Sequence, residues 1–278
     1  MSAAQVNGRS FIITGAASGI GKQLATGLAQ KGARLVLADL DLEALQTAFR
    51  ESESLILRQM DVTSETAWAE LVEMAVEAFG QLDYCVNNAG VIRPGFVLDS
   101  TPEHIRYHME VNALGVMYGT HFAAKVMAGQ GYGHIINIAS LASIAPVQGL
   151  SLYSGSKFAV RGFSLAAGYE LEEQGIHVSL LSPDLVHTPM LDVQLQYPEE
   201  SALSFSGGAQ PLTVEDVERA FYEVLRKKPR EYCLPASRGW LAKIGSAFPG
   251  LGAKIGRIVK QKGLKRIKKR YQKREYHA

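Results

Sequence analysis

Seven short, nearly all-apolar runs recur along the chain with room for one helix between neighbours, and this alternation restricts the fold more than any other property of the sequence. The runs are Phe11-Ile12-Ile13, Leu35-Val36-Leu37, 54–57, 83–86, 135–138, 178–181 and 232–234. Amphipathic stretches lie near 19–31, 41–50, 64–79, 102–129, 152–174 and 213–228. A strand with one wet face alternates apolar and polar residues, whereas one apolar throughout is buried on both sides. Helices must then cover both faces, and they do so as crossovers between parallel strands. The sequence therefore predicts an α/β fold, a doubly wound domain over residues 1–236 with a seven-stranded, mostly parallel sheet. No internal repeat and no long Pro/Gly/Ser linker divides it. Residues 237–278 form a basic, amphipathic C-terminal helical extension.

Charge is divided as unevenly as hydropathy. Residues 1–226 carry 13 Lys and Arg against 25 Asp and Glu, whereas residues 227–278 carry 16 against 2, so an acidic body precedes a basic tail. Such a tail serves a partner of its own or folds back on the body. Cys85 and Cys233 are the only cysteines, and their wide spacing reads as two reduced thiols. Residues 1–9 hold no apolar leader, and no run approaches the about 18 apolar residues that a membrane span needs. A cytoplasmic protein is expected. The stretch 184–212 lacks periodicity yet carries Met190, Leu191, Val193, Leu195, Tyr197, Leu203 and Phe205, the pattern of a functional loop or lid.

Chemistry concentrates in three places. Tyr153 and Lys157, four apart, stand above one another on a helix face. An ammonium beside a phenol favours phenolate and brings the tyrosine toward a working general acid/base. Gly15, Ser18, Gly19, Ile20 and Gly21 fall in a glycine-rich turn that follows the first strand and opens the first helix. Glycines there permit close approach to a pyrophosphate, which the free N–H groups and dipole of the helix attract. Such a turn also serves packing alone. Asp39 ends the second strand, where a carboxylate either accepts from an adenosine ribose 2′-hydroxyl and repels a 2′-phosphate, or caps a turn. The first alternative favours NAD over NADP.

Together these residues resemble the short-chain dehydrogenase/reductase family in its single-domain branch, from about residue 8 to 236. The resemblance rests on Thr14-Gly15-x-x-x-Gly19-Ile20-Gly21, Asp61-Val62, Asn87-Asn88-Ala89-Gly90, Asn112, Ser140 and Tyr153-x-x-x-Lys157, in order. It implies a Rossmann fold and hydride transfer between a nicotinamide and a secondary alcohol or ketone. It also implies that Tyr153 is the general acid/base and that Ser140 binds the substrate oxygen. Lys157 would lower the tyrosine pKa and hold the nicotinamide ribose, while Asn112 would support a water chain. Asp61 and Val62 would flank adenine, Asn88, Ala89 and Gly90 would line the cofactor, and Pro183, Val186 and Thr188 would border the nicotinamide. A homodimer or homotetramer is the family's usual state. One departure is Ser182-Pro183-Asp184, where the family usually has Pro-Gly. An aspartate cannot follow glycine into every conformation, so this loop is expected to be shaped differently.

No cluster has metal-ligand spacing, so no metal is expected, and His187 reads as a solvated loop residue. The apolar residues from 190 to 205 either roof a pocket for a lipophilic alcohol or ketone, such as a steroid, a retinoid-like compound or a long-chain carbonyl, or pack the loop. In the tail, Leu251, Ile255, Ile258, Val259, Leu264, Ile267 and Tyr271 fall among many cations. That pattern describes a helix for peripheral contact with anionic lipid, or a solvated tail. Nucleic acid is not expected, because the body offers no reading head. Two rivals stand beside the dehydrogenase: an NADPH-dependent reductase of carrier-bound 3-oxoacyl groups, which Asp39 opposes, and a dinucleotide-sensing scaffold.

Overall fold

A computed structural model of the protein describes residues 6–206, 210–248, 250 and 260–268. The strands are β1 (Ser10–Thr14), β2 (Arg34–Asp39), β3 (Leu55–Gln59), β4 (Tyr84–Asn87), β5 (Gly133–Ile138), β6 (Ile176–Pro183) and β7 (Glu231–Leu234). They form one sheet in the order β3-β2-β1-β4-β5-β6-β7. Every pairing is parallel, stricter than the mostly parallel sheet expected. The connecting helices are α1 (Gly19–Gln30), α2 (Leu42–Ala48), α3 (Glu65–Phe79), α4 (Pro102–Met109), α5 (Gly115–Gln130) and α6 (Ser151–Glu172). They continue as α7 (Pro189–Gln196), α8 (Pro198–Ser201), α9 (Val214–Lys227) and α10 (Ala236–Ala247).

Side-chain alternation along each buried strand divides the core between the two faces of the sheet. Phe11 and Ile13 of β1 point with Leu35 and Leu37 of β2 toward Leu24 and Leu28 of α1 and Phe221 and Val224 of α9. Ile12 and Val36 point the other way, onto Trp68 and Leu71 of α3 and Met127 of α5. Asp83 anchors the bottom of β1, accepting from the Ser10 backbone N–H (2.9 Å) and from Arg9 Nη1 (2.8 Å).

Two stretches differ from the sequence expectation. The helix expected over 102–129 is interrupted at Glu110–Leu114 by a turn of π-helix, which holds Asn112. Periodicity is blind to one wider turn in a long helix. The stretch 184–212 contains α7 and α8, each opened by a proline at its first turn. Helices of two turns or fewer are too short to show a period. Among the described residues no helix is long and apolar enough to cross a membrane, and no metal-binding cluster occurs. Of the apolar tail positions, Leu251, Ile255, Ile258, Val259 and Tyr271 lie outside the described residues. Residues 260–268 are helical and fold back on the body: Ile267 is buried beside Leu191, Leu195 and Phe205.

Two stability measurements follow. Trp68 is fully buried and its indole donates to Val62 O (3.0 Å). Trp68→Ala is expected to cost about 3–5 kcal/mol in urea denaturation, from the cavity it leaves. His134 of β5 is 2% exposed and sits 2.9 Å from Ser179 Oγ, and burial pushes it from 6.5 down to about 3. Between these values the unfolded chain takes up the proton first, so stability falls as pH drops through that window. His134→Gln is expected to remove roughly 2–3 kcal/mol of the loss between pH 7 and 4.5, read from urea midpoints at the two pH values.

Candidate active site

The order of the sheet reverses between β1 and β4, whose partners diverge to opposite edges. Loops leaving the C-terminal ends of two such strands run apart, and a crevice opens between them. Here the ends are stitched together. Thr14 Oγ1 accepts from the Asn88 and Ala89 backbone N–H groups (3.2 Å each), and Asn88 Nδ2 donates to Thr14 O (2.9 Å) and Gly15 O (3.1 Å).

Above this seam lies a cavity of about 1650 Å³. Gly15, Ser18, Gly19, Ile20, Asp39, Asp61, Val62, Asn88, Ala89 and Gly90 line one part of it, and Ser140, Tyr153, Lys157, Pro183, Val186 and Thr188 another. Gly21 and Asn112 stand behind the lining. The glycine loop is packed to the limit of its backbone. Gly15 has φ +65° and Gly19 φ +53°, and a Cβ on Gly15 would meet Ala89 Cα at 2.8 Å. On Gly21 a Cβ would meet Gly15 O at 2.1 Å. At the start of α1 the Thr188 side chain comes close, its Cγ2 3.1 Å from where a Cβ on Gly19 would stand, so bare glycine backbone and Thr188 together border the place where a dinucleotide pyrophosphate would fit. Asp39 faces this loop, Oδ2 accepting from Ala17 N (2.9 Å) and Oδ1 from Asp41 N (3.1 Å). The turn-bracing role weighed for it is therefore present, and its carboxylate still borders the cavity.

At the other end, α6 presents Tyr153 and Lys157, 8% and 3% exposed. Lys157 Nζ donates to Ile138 O (3.0 Å) at the end of β5 and lies 5.9 Å from the Tyr153 ring centre. Burial pushes the Tyr153 hydroxyl up to about 12, with a hydrogen bond from Ser140 pulling the other way. Burial pushes Lys157 down to about 8. Loss of solvent thus pushes both groups toward their neutral forms. Asn112, on its π-turn, accepts from Val91 N (2.7 Å) and donates to Val91 O (2.9 Å) and to Ser156 Oγ (3.1 Å). It joins the 88–91 loop to α6.

The unusual Asp184 has a partner that the sequence reading did not supply. Its carboxylate forms an ion pair with Arg238 of α10, while its N–H donates to Leu234 O (2.8 Å). Burial raises the Asp184 pKa and Arg238 opposes that shift. Arg238, Leu241, Ala242 and Gly245 line the cavity, although they belong to the stretch read as tail. Only the mismatch at Asp184 hinted that a cation was needed there. His187 is absent from the lining, in keeping with its reading as a bystander.

Residues 9–197 match the family model described as short chain dehydrogenase. The 3-alpha-(or 20-beta)-hydroxysteroid dehydrogenase of Mycobacterium tuberculosis is 35% identical over 186 residues, which cover 66% of this chain and 72% of that relative. A short chain dehydrogenase/reductase from Burkholderia phymatum, solved in complex with NAD, matches with a TM-score of 0.75 and 27% identity, covering 89% of this chain and 96% of the other. ElxO, solved with NADP bound, matches at 0.69 and 28% identity, over 77% and 90% of the two chains. A glycine cradle at the switch point and a phenol, an ammonium and a hydroxyl at its far end thus agree with the sequence matches: the chain belongs to the short-chain dehydrogenase family, an oxidoreductase acting on CH–OH groups with a nicotinamide dinucleotide.

Proposed function

We propose that the protein interconverts a lipophilic secondary alcohol and its ketone with NAD(H), using Tyr153 as the general acid/base. The observation that carries the reading is the cluster of buried Tyr153 and Lys157 with half-buried Ser140 on one wall of an otherwise largely apolar cavity. A bound nicotinamide dinucleotide supplies the hydride acceptor or donor. Every other task falls to the chain. Gly15, Ser18, Gly19, Ile20 and Gly21 cradle the pyrophosphate, and Asp61, Val62, Asn88, Ala89 and Gly90 line the path toward the reacting end. Pro183, Val186 and Thr188 close the opposite side. Ser140 Oγ holds the substrate oxygen, and Tyr153 moves a proton to or from it. Held protonated by burial, the phenol is a proton donor at neutral pH. Its conversion to a base depends on the nearest cation, Lys157. Asn112 is a positioning residue that fixes the 88–91 loop against α6 through its three hydrogen bonds.

Asp39 supports NAD over NADP. Arg238 and Lys157 are the only cations among the described cavity-lining residues, and Arg238 is paired with Asp184. No guanidinium or ammonium in that lining faces the Asp39 end to receive a 2′-phosphate. For the substrate, Ile92, Leu141, Val147, Met190, Leu191 and Leu203 border the cavity, which supports a steroid-like, retinoid-like or long-chain carbonyl compound. Exposed Ile105, Met109 and Leu114 on the α4–α5 face support a homo-oligomer.

Tyr153→Phe is expected to lower kcat by about 10²–10⁴-fold while NAD binding changes little, followed by nicotinamide absorbance over a panel of steroid, retinoid, aliphatic and 3-oxoacyl substrates. Tight NAD binding with no turnover across that panel by the unaltered protein would count against the proposal. Loss of the Asp39 carboxylate removes a charge-assisted hydrogen bond and a repulsion. Asp39→Ala is therefore expected to reduce the NAD/NADP ratio of kcat/KM by about 10–100-fold. A ratio that does not move would leave Asp39 as a turn brace only.

A further inference from the structure

The helix that walls the cavity beyond β7 has one face with no partner among the described residues. Trp240, Leu241, Ile244 and Phe248 are 71%, 68%, 52% and 63% exposed. At 3.6 residues per turn they fall within an arc of about 100° on α10 and just past its last turn. The opposite side is fixed to the body. Lys243 pairs with Glu231 of β7, Arg238 with Asp184, and a Cβ on Gly239 would meet Cys233 Cβ at 2.3 Å. The stripe is therefore held outward by a docked helix. Its edge coincides with the mouth of the cavity, because Leu241 belongs to both.

A second element carries the matching charge. In the helical residues 260–268, Gly263 and Ile267 are buried against α7, α8 and the turn that follows them, where a Cβ on Gly263 would meet Ala202 O at 1.7 Å. Arg266 donates to Phe205 O (3.2 Å) and Ser206 O (2.7 Å). Lys262, Lys265 and Lys268 are exposed and fall on the side opposite Gly263 and Ile267. Leu203, Ser204 and Ser206, under this segment, line the same cavity that Leu241 rims.

We propose that the α10 stripe and the outward lysines of 260–268 form one docking surface for a bilayer with anionic headgroups, with the cavity mouth facing the lipid. Large apolar side chains beside lysines suit the boundary between acyl chains and headgroups. Nucleic acid could stack bases on Trp240 and Phe248 but offers nothing for the aliphatic Leu241 and Ile244 between them. A second copy seated on the same surface would bring like charges, Lys262, Lys265 and Lys268, of two chains together. The inference deepens the lipophilic-substrate reading, since a substrate dissolved in lipid would reach the site without crossing water.

The test needs no turnover. Trp68 and Trp240 are the only tryptophans, and Trp68 is fully buried, so a change in emission on adding vesicles reports Trp240. Full-length protein is expected to sediment with phosphatidylcholine vesicles containing phosphatidylglycerol, with blue-shifted emission, and to ignore phosphatidylcholine alone. Trp240→Phe should abolish the shift. Ile244→Glu with Phe248→Glu, and separately Lys262→Glu with Lys265→Glu and Lys268→Glu, should each lower partitioning by about tenfold or more. None of these five residues lines the cavity, and an unchanged far-ultraviolet circular dichroism spectrum and urea midpoint should report that each variant is folded. Three results overturn the proposal: no sedimentation with anionic vesicles, equal sedimentation with both kinds, or a blue shift that grows with protein concentration without vesicles, which would assign the stripe to a second copy. Turnover without vesicle binding defeats this inference alone, and vesicle binding without turnover defeats only the catalytic reading.

Discussion

The hydrogen bonds that join Thr14 to Asn88 and Ala89 hold the structure's central compromise. A doubly wound sheet must part its loops at one point, and that parting leaves backbone groups at the ends of two buried strands without ladder partners. One threonine hydroxyl and one asparagine amide satisfy several of them at once. The crevice stays open for a ligand while the strands beneath it remain closed. The glycine loop then packs so tightly on the seam that a methyl group on Gly15 or Gly21 would strike backbone.

From that seam the site extends in two directions with different physics. Toward β2 it is polar and partly open, and Asp39 accepts from two backbone amides while bordering the cavity. Toward α6 it is dry. Lys157 and Tyr153 are both nearly without solvent, and each is driven toward its neutral form. A phenol and an amine that both resist charging are sensitive to whatever charge is placed beside them, because little water remains to screen it.

Much of this was legible in the sequence. The all-apolar strands fixed helices on both faces, and the spacing of Tyr153 and Lys157 fixed a shared helix face. The glycine turn after the first strand placed the cradle. What escaped reading had no periodic signature. The π-turn that carries Asn112 displaces the helix by one residue in a long regular stretch, which a 3.6-residue pattern does not register. The helices α7 and α8 are shorter than the period needs. Arg238 sat in a tail whose many cations concealed the one with a structural partner. Asp184, out of place beside the family pattern, was the only visible trace of that pairing.

The strict parallelism of the sheet also bears on how the chain acquires its fold. No two neighbouring strands can meet through a hairpin, so every pairing encloses a crossover. The join at the seam is among the most distant, with Phe11 beside Tyr84. Closing long loops before any contact compensates for the lost entropy slows folding. The pairings within β1 to β3 enclose shorter stretches of chain, with Phe11 beside Leu35 and Leu35 beside Leu55. The wall that completes the cavity comes from α10, after the last strand. The cavity is thus completed by residues that follow, in the sequence, every strand of the sheet that supports it.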